Sequence, residues 1–444
     1  MDKQRIEEAL QTAIGFSNAD QLEVLASSRS MALTRFSNNY IHQNVAETNM
    51  SISIRAVVGK RIGYASTNRL DKESIKETVE RATEIAAYRP PDPEFASLPE
   101  PRLITERDLV ATPTVDYTPV ERAADLQKLI NLAAKNSLTA AGAYSTGYSV
   151  VGVANTLGVN ATAVISEASL KTVIMSETSS GYGSIVAIDV NDIDVGKIAS
   201  DAIEKALKSK NPIDLEPGTY TVILEPEAVA DMVSFMAYAG FGALSLQEGR
   251  SFMKDKLDQQ IMSSSISIWD DALDPNTIGL PFDFEGVPKR KVVFVENGVA
   301  KGVCYDSYTA KKEGKESTGH ALPAPNIYGP LPLNLIMAAG DSSLDQMIQS
   351  SDRAILVSRF HYTNLEDPIK TTLTGMTRDG TFLIENGEIK TAIKNLRFTQ
   401  SIVDALSKVE MVSAERKLKE AFLGGSFVPW LKIGEFTFTG ATQF

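Results

Sequence analysis

The sequence predicts an α+β protein: duplicated N-terminal α/β units with antiparallel sheets, followed by a β-rich C-terminal domain. A helix–strands–helix order occurs twice in the first half. Gly63-Tyr64-Ala65-Ser66 is echoed by Gly181-Tyr182-Gly183-Ser184, each shortly before the closing helix. The second half carries two Glu-Asn-Gly turns, Glu296–Gly298 and Glu385–Gly387, between alternating apolar segments. The divisions fall at residues 1–101 (first unit and a Pro-rich connector), 102–215 (second unit) and 216–444. Two unrelated α+β segments are the competing reading of the first half.

In the first unit, Asp2–Ile14 reads as a helix, and alternating segments follow at Leu22–Ala26, Met31–Arg35, Ser51–Val58 and Arg61–Tyr64. Asp71 is placed to cap a helix through Tyr88, with Ile75, Val79, Ala82 and Ala86 on one face. Arg89–Pro101 (RPPDPEFASLPEP) cannot continue that helix, because proline lacks an amide donor and restricts its predecessor.

The second unit opens on Thr118-Pro119-Val120-Glu121, a capping box with proline at the first helical position, and the helix runs to Asn136. Strands are predicted at Ala143–Val151, Ala161–Ser166, Leu170–Ser176 and Ser184–Ile188, and Asp194 caps a helix to Lys208. The third region starts with a strand, Thr219–Leu224, and a helix, Glu225–Ala239, whose Val229, Met232, Val233 and Met236 face inward. Lys291–Glu296 and Val299–Tyr305 form a hairpin about Asn297-Gly298, where both residues need positive φ. A strand at Leu333–Ala338, a helix at Ser343–Ser350, a second hairpin at Thr381–Ile393, a helix at Ser401–Val409 and strands at Trp430–Ile433 and Glu435–Thr439 complete the chain.

Composition bounds function. A net charge of −12 disfavours a general nucleic-acid surface, which needs clustered Lys and Arg. No run of about 18 apolar residues predicts a membrane span. The opening MDKQRIEEAL reads as an amphipathic helix rather than a leader. One cysteine, Cys304, excludes an intrachain disulfide framework and fits a cytoplasmic setting.

Four runs carry a resemblance: Phe282-Asp283-Phe284-Glu285-Gly286-Val287-Pro288, Glu296-Asn297-Gly298-Val299, Tyr305-Asp306-Ser307-Tyr308-Thr309-Ala310 and Glu316-Ser317-Thr318-Gly319. In order and spacing the chain resembles the TldD/PmbA family, first described as modulators of DNA gyrase and regarded as metalloproteases. The resemblance implies zinc held by a His-Glu-x-x-x-His helix in the TldD branch, with a cysteine ligand near the C-terminus. Here the corresponding helix carries Glu225, Glu227 and Asp231 and no histidine, and Leu423-Gly424-Gly425-Ser426 has no cysteine. The three histidines are His42, His320 and His361, so no pair one helical turn apart exists. The chain is therefore closer to the PmbA (TldE) branch, with no catalytic residue, metal ligand or cofactor of its own. Zinc is expected in a partner subunit.

A metal site from His320 and His361 with Cys304, Glu316 or Asp306 would need the fold to assemble it. Trp269-Asp270-Asp271 is either a turn cap or a carboxylate site for a substrate amine or partner arginine. Ser317–His320 and Ser358–Tyr362 offer donors, a cation and aromatic surface, suited to holding an extended peptide or to an ordinary turn and strand. The substrate-binding candidates are Asp270, Thr318, His320, Arg359 and His361. The function expected is that of a non-zinc subunit acting with a TldD-like partner on unfolded or flexible peptides. A non-enzymatic peptide-binding homodimer is the alternative, and a self-sufficient hydrolase using Cys304 or another metal site is a third.

Overall fold

The computed structural model describes residues 2–442. The first unit contains helix α1 (Lys3–Gly15), strands β1 (Gln21–Ser37), β2 (Tyr40–Val58) and β3 (Arg61–Thr67), and helix α2 (Lys72–Tyr88). After a single turn, α3 (Thr112–Val115), the second unit repeats the order with α4 (Pro119–Lys135), β4 (Thr139–Asn155), β5 (Asn160–Met175), β6 (Ser180–Ala187) and α5 (Val195–Lys208). The capping chemistry is as predicted. Asp71 accepts from the Ser74 N–H, both bonds of the Thr118–Glu121 box form, and Asp194 accepts from the Lys197 N–H.

The two units share one six-stranded sheet of order β3-β2-β1-β4-β5-β6. Strands β1 and β4 pair antiparallel over fourteen positions, with Arg29 opposite Ser149, so the order is the same from either end. Each unit superimposes in topology on the other through this pseudo-twofold. Two predicted segments, Leu22–Ala26 and Met31–Arg35, are one strand of 17 residues, and Ala161–Ser166 and Leu170–Ser176 likewise merge. The polar stretch Ser27-Ser28-Arg29-Ser30 breaks the apolar alternation but not the ladder, because Ser27 and Ser51 hydroxyls bond across the strands.

Side chains alternate across a strand, so Leu22, Val24, Ala26 and Phe36 share one face of β1. On that face α1 and α2 cover one half of the sheet and α4 and α5 the other. The opposite face, with Glu23 and Leu25, turns to the C-terminal domain. The segment that follows the connector also docks there: Arg107 donates to carbonyls of Asp274, Thr277 and Gly279 in a C-terminal loop.

The C-terminal domain begins with β7 (Gly218–Leu224), α6 (Pro226–Gly240) and α7 (Ala243–Gln247). Next come β8 (Ile268–Asp270), the hairpin β9 (Val292–Glu296) and β10 (Val299–Ala300), α8 (Ser307–Lys312), β11 (Asn334–Met337) and α9 (Leu344–Gln349). The last part is β12 (Arg353–Asp367), β13 (Thr372–Glu385), β14 (Glu388–Ala392), β15 (Leu396–Ser401), α10 (Ile402–Ser407), β16 (Val409–Ala421) and β17 (Gly424–Ala441). Pairing runs β17-β15-β13-β12-β7 and returns from β7 to β17, closing a five-stranded ring, while β11, β8, β9 and β10 extend from β17. Helix α6 lies against this sheet, burying Val229, Met232, Val233 and Met236 in the main core.

Both predicted turns form, with positive φ at Asn297, Gly298, Asn386 and Gly387. The first return strand is only Val299–Ala300, not the predicted Val299–Tyr305. Cys304 is drawn away to bond the Phe241 carbonyl at the end of α6. Among the described residues no helix is long and apolar enough to cross a membrane.

Candidate functional site

The sheet of the two units meets the C-terminal domain at both ends, and each junction encloses a cavity. At the first-unit end it measures about 590 Å3 and is lined by Arg55, Tyr64, Glu285, Asp306 and Tyr308, among others. At the second-unit end it measures about 350 Å3 and is lined by Tyr182, Ser184, Glu225, Glu227 and Lys419, among others. The repeated Gly-Tyr motif therefore supplies one tyrosine to each cavity.

Three of the four motif runs gather at the first junction, where most of their polar side chains hold the fold, while the fourth, Glu296–Val299, makes the β9–β10 turn against Gln260 and Ile266. Asp283 accepts the N–H groups of Glu285, Val287 and Ala321, Asp306 caps α8 at Thr309, and Thr318 bonds the Tyr305 backbone. Glu285 closes the junction with Arg55 at 3.0 Å, and Arg55 also holds Glu23 at 2.5 Å. Burial pushes the Glu23 carboxyl up to about 7 against the opposing pull of Arg55.

The second junction centres on the N-terminus of α6. Pro226 starts that helix, and its first turn presents Glu225 and Glu227 to two lysines from other elements. Lys205 of α5 lies 2.5 Å from Glu225, and Lys419 of β16 lies 2.7 Å from Glu227. Ser358 and Ser184 add hydroxyl donors to the same two carboxylates. Beside them Arg359 donates to Asp379 at 2.6 Å and stacks over the Tyr182 ring at 4.4 Å. Burial, and then the neighbouring Arg378 and Arg359, lower the His361 pKa.

Zinc-type chemistry needs imidazole or thiolate donors around an open position. The three acidic side chains on α6 bring none, and ammonium groups already stand on two of them. Among the described residues no group of three or more His, Cys, Asp or Glu side chains is placed to hold a metal. The donor set of this chain does not fit a zinc ion at α6.

The five sequence-predicted binding residues separate into two groups. Asp270, Thr318 and His320 form one network: His320 Nε2 lies 3.0 Å from Asp270, and its Nδ1 lies 3.0 Å from the Thr318 hydroxyl. Asp270 and His320 are each 0% exposed, and Asp270 also accepts the Asn334 N–H. Burial and then the charge of Lys289 lower the His320 pKa against the pull of Asp270, and for Asp270 burial is outweighed by His320 and Lys289, which hold its carboxyl below the usual range. This network ties strand β8 to the loop after α8 rather than facing a surface. Arg359 and His361 lie apart from it on β12, near α6. Cys304 is buried and bonded to the Phe241 carbonyl, with its thiol pKa raised by burial. Lys205, Lys419, Asp379 and Tyr182 were not singled out as site residues, although the Gly181-Tyr182 echo is the signal that points to the last.

Asp231, two turns into α6, accepts the Thr363 hydroxyl at 2.8 Å. Burial pushes its carboxyl up to about 6, with Glu227 adding to the rise and Thr363 and Arg359 opposing it. A raised folded-state value means the native protein holds this proton more firmly than the unfolded chain. Stability from this group therefore falls as pH rises from about 4 to about 6. Asp231→Asn is expected to exceed the parent in stability at pH 8 by on the order of 1–2 kcal/mol and to match it near pH 4. Urea midpoints at the two pH values read this out, and a deficit at pH 8 would contradict it.

Sequence profiles of the PmbA/TldA metallopeptidase family match three segments: domain 1 at residues 22–86, the central domain at 113–210 and the C-terminal domain at 217–440. Metalloprotease PmbA of Escherichia coli O157:H7 is 23% identical, with 97% of this chain and 95% of that one aligned. A metalloprotease TldD homolog of Haemophilus influenzae is 24% identical, over 88% of this chain and 86% of that one. Shorter alignments to further metalloproteases cover about half of either chain. Among solved structures, TldE from Thermococcus kodakarensis superposes with a TM-score of 0.88 at 25% identity, covering 98% of this chain and 100% of that one.

Proposed function

This chain belongs to the PmbA/TldD family of metallopeptidases, and from that premise we propose that it is the TldE/PmbA-type subunit of a two-chain peptidase. In this reading it positions unfolded or flexible peptide, while a TldD-like subunit carrying the His-Glu-x-x-x-His helix supplies zinc and the general base. The observation that carries it is the start of α6: carboxylates without histidine, engaged by Lys205 and Lys419. The full-length likeness to PmbA and to TldE supports the branch assignment.

Zinc held by the partner would polarise the scissile carbonyl and lower the pKa of a bound water. This chain's contribution is to enclose and orient the peptide. Arg359 and His361 are the side chains of the original five that lie near α6, and they are the ones assigned to that contact. Orientation has a large effect on rate, since a displacement of about 1 Å can cost on the order of a hundredfold.

The test is a mixing experiment. The chain alone is expected to bind no stoichiometric zinc and to leave flexible peptides uncut. Addition of the TldD-like subunit is expected to give chelator-sensitive cleavage, which disappears when the partner's metal helix is disabled. Chelator-sensitive cleavage by this chain alone would refute the proposal. So would cleavage that persists after the partner's ligands are removed. A chain that binds peptide as a homodimer and never supports cleavage would favour the non-enzymatic alternative.

A further inference from the structure

The pseudo-twofold of the six-stranded sheet relates two strands, β2 and β5, that are unequally covered. The offset that carries Gly63 onto Gly181 carries His42–Asn49 of β2 onto Asn160–Glu167 of β5, and the pairing agrees: Leu33 faces Val45 as Val151 faces Ala163. In both units the third strand stops short, β3 joining β2 only from Ile52 onward and β6 joining β5 only from Ala168. On β5 the chain itself closes the gap. The Ser166 N–H donates to the Leu109 carbonyl, the Ala111 N–H donates to the Ser166 hydroxyl, and of Asn160–Glu167 only Asn160 is exposed. On β2 every residue from His42 to Asn49 is exposed, and among the described residues no backbone bond reaches the outer edge of that stretch.

In an antiparallel ladder alternate residues turn both main-chain groups to the same side. Thr48 is the counterpart of Ser166, so Asn44, Ala46 and Thr48 turn N–H and C=O outward, and Val45 and Glu47 turn theirs to β1. The stretch HQNVAETN lacks the usual protection of an open edge: it holds no Lys or Pro, its one formal charge is Glu47, and its pairing with β1 is regular from Gln43 onward. Its side chains are too polar for a permanent subunit interface, which is built mainly from apolar area. What it offers is backbone. Its rows also lead to the second junction. Gln43 stands opposite Arg35, Arg35 opposite Ala143, Ala143 opposite Lys171 and Lys171 opposite Ser184, whose hydroxyl bonds Glu227 of α6.

We propose that this edge takes an extended peptide as an added strand, held by its main chain. Such pairing asks little of sequence, which suits flexible peptides of varied composition. This rests on the peptide-positioning reading above and adds a main-chain contact on the first unit. On the face turned to the C-terminal domain, Val45 stands beside Leu33 and Glu47 beside Met31. A β-branched residue with Lys two positions away therefore fits best.

The experiment uses the full chain alone, without partner or metal. Fluorescence anisotropy follows a labelled octapeptide of alternating Thr and Val with one Val replaced by Lys, and the same peptide with every backbone N–H methylated. The unmethylated peptide is expected to bind at least about tenfold more tightly. Ala46→Pro is expected to erase that difference with little change in melting temperature, because proline on an edge strand is tolerated where the lost N–H faces outward. Val45→Pro, which removes an N–H turned to β1, is expected to lower the melting temperature clearly. Hydrogen exchange on the unaltered chain needs no variant: residues 42–49 are expected to exchange faster than 160–167, and to slow when the peptide is added. Equal binding of the two peptides overturns the assignment, as do binding that survives Ala46→Pro, exchange at 42–49 unmoved by peptide, and no binding at all. A dimer seen in sedimentation and dissociated by Ala46→Pro would also overturn it, assigning the edge to a second copy of the chain. Cleavage in the mixing experiment is a separate readout, so the edge assignment can fail while the two-chain reading stands.

Discussion

Replacing Arg55 by alanine is expected to lower stability by about 3–5 kcal/mol, the usual cost of breaking a buried ion pair from one side. The guanidinium sits between Glu23 of β1 and Glu285 of the C-terminal domain. The side chains of Arg55, Glu23 and Glu285 are 12%, 5% and 8% exposed. Its removal leaves two carboxylates facing each other without a counter-charge. Glu23 is already raised to about 7 by burial, and loss of Arg55 removes the main force holding it down. The deficit is therefore greatest at alkaline pH and shrinks as pH falls and the carboxyl protonates. Urea midpoints of Arg55→Ala at pH 8 and pH 6 measure both effects. Combining Arg55→Met with Glu23→Gln and Glu285→Gln is expected to recover most of the loss, because no buried charge remains. A deficit below about 1 kcal/mol at pH 8 would mean that the junction opens to water and the clasp holds little.

Gly298→Val is expected to cost at least about 3 kcal/mol, and the variant protein to collect in the insoluble fraction. Gly298 has φ +79°, which a β-branched residue resists at a cost of about 1–3 kcal/mol. The space is closed as well. An added Cβ would stand 2.1 Å from Gln260 Nε2, 2.3 Å from the Met262 carbonyl oxygen and 2.6 Å from that of Ser263. The same residue donates to the Ile266 carbonyl and accepts from the Ile261 and Met262 N–H groups, so backbone movement breaks three bonds. Gly314 separates the two causes, because its φ is +63° but nothing lies within 4 Å of an added Cβ. Gly314→Val should show the dihedral cost alone. Thermal midpoints of the two variants that fall together would assign the effect to φ and not to the crowded turn.

Short-range signals were legible in the sequence wherever one residue type serves one backbone need. Asp71, Thr118 and Asp194 cap helices because their side chains reach an N–H three residues on, and Asn-Gly appears where φ must be positive. Strand length was not legible. The two segments of β1 looked separate because its centre is lined with serines, which a ladder accommodates once a second strand supplies hydroxyl partners. The fusion of both units into one sheet depends on β1 meeting β4, a pairing with no local mark. The binding site was harder still. Asp270 and His320 have the residue types of a functional pair, but folding seals them in the core. Glu23, Arg55 and Glu285 are far apart in sequence, and no spacing rule would join them. What did survive translation into geometry is the Gly-Tyr echo, which ends as two tyrosines in two cavities.

The shared sheet also sets an order of events during synthesis. Strand β1 is complete at Ser37, yet the strand that covers its second edge runs only from Thr139 to Asn155. A ribosome adding about 5–20 residues per second leaves the nascent first unit waiting on the order of ten seconds with that edge open. Pairing across so long a loop is slow for entropic reasons too, so collapse of the first half is gated by arrival of the second. Rare codons or truncation between residues 90 and 140 would lengthen the exposed interval, and losses of yield from such changes would occur before any native molecule exists.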